Sequence, residues 1–568
     1  MKKNFMCMVI GATFLYTTAL VCFGKKTIFG IRSQGLNGAL ELTNWQQLIY
    51  KYDQDYNYGT IAAAVEYTRT IRPQQIADFL FGGCKLRFSG SKADRQPGDI
   101  LADYFGLPVD FSSTVYFSPH ISNTIVDFNW FQALDGYLPG LFIMLHLPVV
   151  QTKWNLYMCE NNINPGTAFY PAGYMSNADI PATALPHSVT RALHGRTMFG
   201  DMDAPLQYGK IFGIQTRARI AELQGTLGWN YNQPWYHVGV SLRVGAPTGN
   251  ATTAEFLFEE IVGNRHHWDV GGGLSAHVCM WENKEAGKRL ALYLDAHASH
   301  LFTSMQKRSF DFTANGNGSR YILMEEIIPP SQNLLLNGTT VPINQYIGNL
   351  VPAINYTTFD TKISIGVQAD VVLKFAYQHD GFEFDLGYEL WYNSKEKLHC
   401  RDTFVENRYA LKGDAQIYGF TADANQTPVA LNATQSMATI LGGQGNGNGN
   451  YQNLNADNQP AAASTATGTV LNQLNANDSM LLNIPQLQVN GSNPAILLKD
   501  SDINVESGLL PRALSNKVFA YLGGVWDNRD DLDPYLGIGL SGEFANTNPC
   551  NNAACSQWAI WVKGGIAY

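Results

Sequence analysis

The sequence is poor in charged residues and has no long hydrophobic run after its first two dozen residues. Charged residues make up 15% of the 568-residue chain, whereas ordinary soluble domains contain about 25%. A membrane-spanning helix needs about 20 consecutive apolar residues, and no segment after residue 23 provides them. The formal net charge is −9, which disfavours a nucleic-acid-binding role because such proteins present a basic patch.

Cysteine is also scarce, and its positions are scattered. The chain contains 8 Cys, and the six beyond residue 24 are too far apart to form a disulfide scaffold. Cys550 and Cys555 lie close together in an Asn-rich stretch and are candidates for a bridge in an oxidising compartment. A zinc site is disfavoured, because no second cysteine pair and no histidine is spaced nearby.

The first 24 residues have the pattern of a cleaved secretory signal peptide. Lys2 and Lys3 precede an almost uncharged apolar stretch, residues 5–23, and Gly24 is a suitable residue before cleavage. A membrane anchor is the alternative, but the run is short and a second positive pair follows it. Lipidation is disfavoured because a valine, not a small residue, precedes Cys22. Cleavage removes two positive charges and leaves the remaining chain near −11.

What the sequence does contain is a regular alternation of apolar and polar residues, which is typical of strands with two different faces. In residues 362–377 the odd positions are apolar, whereas the even positions include lysine, serine and aspartate. Asp380-Gly381 then favours a tight hairpin turn, and residues 382–392 repeat the alternation. Both arms are long enough to cross a bilayer, which takes about 9–11 residues of strand.

The same alternation recurs along most of the chain and predicts an all-β transmembrane antiparallel up-and-down barrel of about 12–14 strands. In residues 211–229 the apolar parity changes between Ile220 and Leu223, which predicts a β-bulge. A bacterial barrel needs an even number of strands. Either a strand near residues 39–50 is added, giving about 14, or residues 60–70 lie outside the wall, giving about 12. The thirteen candidate segments are residues 60–70, 84–90, 123–131, 141–150, 211–229, 235–244, 268–281, 289–302, 362–377, 382–392, 517–526, 535–544 and 558–568.

The last segment carries apolar residues on one face from Trp558 to the terminal Tyr568. This aromatic end resembles the C-terminal signature of bacterial outer-membrane barrels, which their assembly machinery reads. In such barrels the C-terminus is periplasmic, the turns on that side are short and the external loops are long. Connections counted backwards from Tyr568 alternate in this way, with long loops at residues 151–210, 303–361 and 393–516.

The whole-chain pattern resembles an outer-membrane porin, and the strand–turn passages at residues 242–249 and 533–539 are similar to those of such barrels. The resemblance implies a signal peptide at residues 1–24, an N-terminal segment at 25–57 and a barrel at 58–568. It also implies contact with outer-membrane lipid, recognition of Tyr568 by the assembly machinery, and a homotrimer by analogy. Location in the outer membrane follows, and no cofactor is expected.

A passive pore needs polar side chains that face a water-filled lumen. Opposed basic and acidic patches would give the transverse field that the porin resemblance implies; alternatively, these charges pair with one another and fill the interior. The long loop at residues 151–210 is expected either to constrict the channel or to cap it. The polar faces of the clearest strands nominate as pore-lining Arg217, Arg219, Arg243, Asp269, Asp295, Asp370, Lys374, Glu383, Asp385 and Glu389.

Signals for an enzyme or a metal site are weak, and no catalytic residue or metal ligand is assigned. His267 and Asp269 would share a strand face if the strand extended back that far, but no nucleophile is evident beside them. The acidic residues 527–533 lack the spacing of a calcium loop. The glycine-rich residues 442–450 precede no helix, so the dinucleotide fingerprint fails; they belong to a polar stretch, residues 421–511, expected to be mobile and surface-exposed.

Two functions lead at this level, and an outer-membrane enzyme and a soluble secreted β-protein are less favoured alternatives. The first is a porin-like channel for passive diffusion of small hydrophilic solutes, favoured by the polar strand faces. The second is a surface-exposed structural or adhesion barrel that binds a host or neighbouring cell through its long loops.

Overall fold

A closed barrel of 12 antiparallel strands forms the centre of the structure, a computed structural model. It describes residues 25–52, 56–328, 333–336, 339–342, 345–415, 417–420, 428–430, 434–443, 496–526 and 532–568. Each strand pairs with the next along the chain, and the last pairs with the first, so the wall has no free edge. The strands are β1 (Gly59–Thr70), β2 (His120–Ala133), β3 (Leu141–Asn155), β4 (Glu222–Asn232), β5 (Tyr236–Pro247), β6 (Asp269–Asn283), β7 (Lys288–Ser309), β8 (Thr358–His379), β9 (Phe382–Asn393), β10 (Ala513–Val525), β11 (Asp533–Phe544) and β12 (Gln557–Ala567).

The outer face of the barrel is apolar, as the alternation predicts. On β5, Val238, Val240 and Leu242 are each at least half exposed, because their side chains point away from the lumen. At the periplasmic end, Trp130 Nε1 donates a hydrogen bond to the hydroxyl of Tyr568 at 3.0 Å, so two exposed aromatic side chains meet on this face. A closed barrel with such a band has the features of a transmembrane barrel of the outer-membrane type. None of the helices in the described ranges is both long and apolar enough to span a membrane.

The strand number is 12, but it is reached by a different route from the one predicted. Residues 60–70 do lie in the wall, as β1, between β12 and β2. Residues 84–90 do not: they form a short strand, Lys85–Ser89, in a separate sheet with Ser112–Tyr116. The strand that one of the two alternatives placed near residues 39–50 is instead two single helical turns, α1 (Gly38–Glu41) and α2 (Gln46–Ile49). The sequence prediction was wrong here because alternation marks any two-faced strand, in a wall or in a loop.

The predicted bulge is confirmed. A strand at Ile214–Ile220 and β4 both pair with β3, and between the two pairings the three residues 221–223 lie opposite only two residues of β3, 147–148. Elsewhere in the wall, the external end of β8 pairs with a further strand, Glu396–Arg401. Strands β7 and β8 each have 22 residues, so the loop between them is shorter than the predicted 303–361.

The long connections all leave the same end of the barrel and pack together into an external cap. The cap has its own hydrophobic core, which includes Phe105, Tyr170 and Tyr321 from three different loops. Hydrogen bonds join these loops: the hydroxyl of Tyr174 donates to Asp103 at 2.8 Å, and that of Tyr321 donates to the carbonyl of Gly209 at 2.7 Å. Loop 151–210 is therefore part of a cap on the barrel.

Short elements build this cap. Helix α3 (Pro73–Phe81) starts with a proline in its first turn, ends at Gly82 in the left-handed conformation and buries one apolar face; α4 is Val189–Ala192. The described cysteines are all free, so Cys550 and Cys555 are not bridged. The remaining strands are Ile100–Leu101, Cys159–Asn164, Asp311–Phe312, Leu323–Ile328, Asn333–Leu336, Thr339–Pro342, Gln345–Pro352, Tyr409–Leu411, Tyr418–Phe420, Pro428–Ala430 and Ile503–Asn504, and the 3-10 turns are Ala102–Phe105, Ala182–Ala184, Ser319–Tyr321, Ala353–Asn355, Asp500–Asp502 and Val505–Gly508.

Three expectations fall outside the described residues. These are the signal peptide at residues 1–24, the glycine-rich run from residue 444 onward, and most of the acidic stretch, residues 527–531.

A charge placed on the outer face at mid-membrane depth should destabilise the barrel. Val240→Arg is expected to lower the free energy of unfolding by about 2–4 kcal/mol, because the guanidinium enters the hydrocarbon. Tyr236→Arg, at the end of the same strand face, is the matched control and should cost about 0–1 kcal/mol. Urea unfolding in lipid vesicles measures both. Equal costs would contradict the outward orientation of this face.

The stability of the cap should depend on pH through Asp500. Hydrogen bonds from Arg401, at 2.7 and 2.8 Å, hold the pKa of this carboxyl below its ordinary value. A depressed pKa gives stability that is complete above the unfolded value and is lost as the pH falls through the folded value. Asp500→Asn should therefore lower the melting temperature at pH 7, and the difference from wild type should shrink as the pH falls below about 4. A difference independent of pH would contradict this assignment.

Candidate functional site: the occupied lumen

The N-terminal segment runs through the barrel from its external end to its periplasmic end. At the external end, the Thr27 amide donates to the carbonyl of Ser507 at 3.0 Å, and the Phe29 ring packs on Phe79 of the cap. At the periplasmic end, Asn232 of β4 donates to the carbonyl of Lys51 at 3.1 Å. We refer to residues 26–51 as the plug.

Local interactions make the plug turn rather than extend. The Asn37 side chain accepts a hydrogen bond from the Leu40 amide and so caps α1 at its start. The helix has only one turn, so the carbonyl groups at its end can accept further hydrogen bonds from outside it. Lys563 of β12 donates them: its ammonium contacts the carbonyls of Leu40, Glu41 and Thr43 at 2.9, 3.2 and 2.8 Å.

Glu389 of β9 is the most heavily paired carboxylate that faces the plug. It is fully buried and forms ion pairs with Arg32 of the plug and with Lys517 of β10, the latter at 3.1 Å. It also accepts a hydrogen bond from the Ala39 amide at 3.2 Å. A buried carboxylate left without partners would be very unfavourable, so Glu389 fixes the plug to the wall.

Two further polar clusters join the plug to the wall at other heights. Glu41 of α1 pairs with Arg243 of β5 at 2.9 Å and lies 3.8 Å from His146, which contacts Asp127 at 2.6 Å. Gln46 of α2 accepts a hydrogen bond from Lys374 at 3.0 Å. Lys374 also pairs with Asp385 at 2.9 Å and with Glu383 at 3.2 Å.

Seven of the ten residues nominated as pore-lining lie together on the inner wall around the plug. One of the seven, Asp370, lies next to Gly38 of the plug. Asp269 also faces inward but lies near the external end, where it accepts a hydrogen bond from Asn264 at 3.3 Å. Arg217 and Arg219 are separate, since their strand lies above the bulge; Arg217 pairs with Glu260 at 2.8 Å and Arg219 is exposed. The other six around the plug are Arg243, Asp295, Lys374, Glu383, Asp385 and Glu389.

Sequence reasoning missed the plug and several wall residues that contact it or lie in the same networks. The wall residues follow the same parity rule, but the polar faces of their strands, β1, β2, β3, β10 and β12, were not among those nominated. The plug has no hydrophobic periodicity, so nothing in its sequence marks it as an occupant of the lumen. The missed residues include Arg32, Asn37, Glu41, Gln46, Glu66, Asp127, His146, Lys517 and Lys563.

The His267–Asp269 pair does not form. Strand β6 begins only at Asp269, and the His267 ring contacts the carbonyl of Phe302 at 2.6 Å and the amide of Gln306 at 3.0 Å. These contacts are structural and fix the end of the wall.

Two of the cavities beside the plug lie between it and the wall. One lies toward the external side and is lined by polar groups that include Arg32, Glu66 and Glu543. The other lies toward the periplasmic side and has the Trp45 and Phe142 rings in its lining. The two cavities lie at different heights along the plug.

No protein-family model and no curated protein sequence matches the chain. Solved structures that resemble it include an outer-membrane channel from Pseudomonas putida F1 (9% identity, TM-score 0.32, 91% of this chain and 98% of that one). Others are the Pseudomonas putida toluene transporter TodX (8%, 0.30, 96% and 97%) and the translocator domain of the autotransporter NalP from Neisseria meningitidis (6%, 0.23, 91% and 90%). At these TM-scores the likenesses carry no functional argument, and the assignment of the barrel depends on its own strand pairing and surface.

Removing the charge of Glu389 should loosen the plug and destabilise the protein. Glu389→Gln is expected to lower the free energy of unfolding by about 3–5 kcal/mol, because Arg32 and Lys517 remain buried without their common partner. The control is Glu255→Gln, which breaks an exposed pair with Lys210 and should cost about 0–1 kcal/mol. Urea titration in vesicles compares them, and a similar small cost for both would contradict the role given to Glu389.

Proposed function

We propose that the protein is an outer-membrane channel for small hydrophilic solutes and that the structure describes its closed state, with the plug as the closing element. The main support is the inner wall, which carries buried charged side chains, among them Glu66, Lys374, Glu389 and Lys563. A barrel that only had to anchor a cap could fill its interior with apolar residues at lower desolvation cost. A polar wall suits a lumen that is at times filled with water.

The arrangement of the plug supports closure by a movable part. It is attached to the wall partly through ion pairs and hydrogen bonds, such as those of Glu41 with Arg243 and of Asn37 with Lys517 at 3.0 Å. Leu40 and Leu42 add apolar contacts with a wall cluster that includes Trp561. Water can replace the polar contacts when the segment moves, so the cost of opening lies mainly in the apolar contacts. Passive diffusion would then be gated, whereas a general porin is permanently open.

A disulfide between the plug and the wall should close the channel. A Cβ at Gly38 would lie 2.5 Å from Cγ2 of Val372, so cysteines at these positions have side chains close enough to bridge. In a background without the native cysteines, Gly38→Cys with Val372→Cys should conduct in planar bilayers when reduced and lose most of its conductance when oxidised. Equal conductance in both states would contradict a moving plug.

Removal of the plug provides the complementary test. A chain without residues 26–51 is expected to insert, to keep heat-modifiable mobility on gels and to conduct more than the parent, because the lumen is no longer filled. A folded deletion variant that passes no ions would contradict the channel proposal itself. A deletion variant with the same conductance as the parent protein would show instead that solutes pass beside the plug.

The external cap favours a second candidate function, which is binding to a host or neighbouring cell. The cap is a folded unit with a buried core that contains Phe105, Tyr170 and Tyr321, so it presents a fixed surface at the outside. Attachment of purified protein to cells, measured alongside conductance, separates the two functions. Oxidation of the Gly38→Cys, Val372→Cys variant should close the channel. Attachment that persists in this closed state would be a property of the cap alone.

A further inference from the structure

The periplasmic cavity combines an aromatic side with a polar side, which is the composition of a small-molecule site. We refer to it as the aromatic pocket. The plug and the wall each contribute part of its apolar side: Trp45 and Tyr50 come from the plug, and Phe131 and Phe142, whose rings are 5.3 Å apart, from the wall. The polar side comes from neighbouring strands and from Glu41 and Gln46 of the plug.

Several polar atoms that line the pocket are buried without a hydrogen-bond partner among the described residues. They are Nε2 of Gln46, Oδ1 of Asn230 and Nδ1 of His297. Gln46 is 2% exposed and Asn230 4% exposed, so bulk water does not reach them freely. Leaving such groups unpaired is costly, and their convergence on one cavity indicates an occupant that supplies hydrogen bonds.

The charge of the pocket selects the kind of occupant. Glu41 is neutralised by Arg243 at 2.9 Å. Asp295 has a different environment: within the described part of the chain, no lysine or arginine lies within ion-pair distance of its carboxyl group, and the nearest basic side chain is the imidazole of His297 at 3.4 Å. Its carboxylate, together with Oδ1 of Asn230, therefore offers acceptors to a donor-bearing, positively charged group.

We propose that the aromatic pocket binds a small amphipathic amine, with its ammonium at Asp295 and its ring or short apolar body among Trp45, Phe131 and Phe142. Aromatic faces attract a cation as well as an apolar ring, so both ends of such a molecule are accommodated. This site goes beyond passage of hydrophilic solutes, and it lies in the lumen where a permeating solute would meet it.

Binding at this site should also hold the plug in place. Trp45, Gln46 and Tyr50 line the pocket only while the plug is in the lumen. A ligand that binds one state and not the other shifts the equilibrium toward the state it binds. The amine is therefore a closing ligand for the channel.

The test is isothermal titration of the full-length protein in detergent with 2-phenylethylamine, compared with phenylacetate, which has the same ring and the opposite charge. The amine should bind saturably with a stoichiometry of one, and phenylacetate should bind at least about tenfold more weakly. Asp295→Asn should weaken amine binding by about tenfold or more. The matched control is Asp360→Asn: Asp360 pairs in register with Lys307, twelve residues along β7 from Asp295, or about 40 Å away, and its loss should leave binding unchanged.

Trp45→Leu provides a second variant that alters no wall strand and should also weaken amine binding several-fold. Amine binding by Trp45→Leu tests the proposal if Asp295→Asn fails to fold, as judged by heat-modifiable mobility. The proposal is overturned if the amine shows no saturable binding, which would leave water as the occupant. It is also overturned if phenylacetate binds equally well, or if the folded variants bind like wild type. Titration does not depend on conduction, so a channel that fails to conduct would leave this result interpretable.

Discussion

The structure depends on one electrostatic constraint: the inner wall of a narrow barrel carries buried charges, and each of them needs a partner. Glu389 illustrates it, since burial of an unpaired carboxylate would cost more than one such contact returns. The wall provides part of the compensation through Lys517, and the plug provides the rest through Arg32. The N-terminal segment is therefore held in the lumen by the charges that would otherwise line an aqueous path.

This constraint links the barrel to its two ends. The external end of the plug enters the core of the cap through Phe29, and the periplasmic end stacks Tyr50 on His237 with ring centroids 3.6 Å apart. Between these anchors, polar contacts alternate with an apolar cluster in which Leu40 and Leu42 pack against the wall. The plug is thus attached along its whole length, and the proposed opening has to replace polar and apolar contacts together.

The strands of the wall could be predicted from the sequence because the pattern of each strand depends on its own two environments. A strand with lipid on one side and a polar lumen on the other must alternate, so β5, β8 and β9 could be identified, and the parity change near Ala221 located the bulge. The same rule misplaced residues 84–90, since a strand in the cap is also two-faced. Which charges meet, such as Glu41 with Arg243, depends on contacts between residues distant in sequence. The plug could not be predicted, because it has neither periodicity nor a motif and is defined only by the lumen around it.

The most direct test of the account is the side from which each end of the plug can be labelled. In a cysteine-free background, Lys25→Cys and Lys51→Cys are treated on intact cells with a membrane-impermeant maleimide, and then again after the outer membrane has been opened. The account predicts that the cysteine at position 25 reacts on intact cells and that the one at position 51 reacts only after opening. Labelling of both positions from the same side would contradict a segment that runs through the barrel.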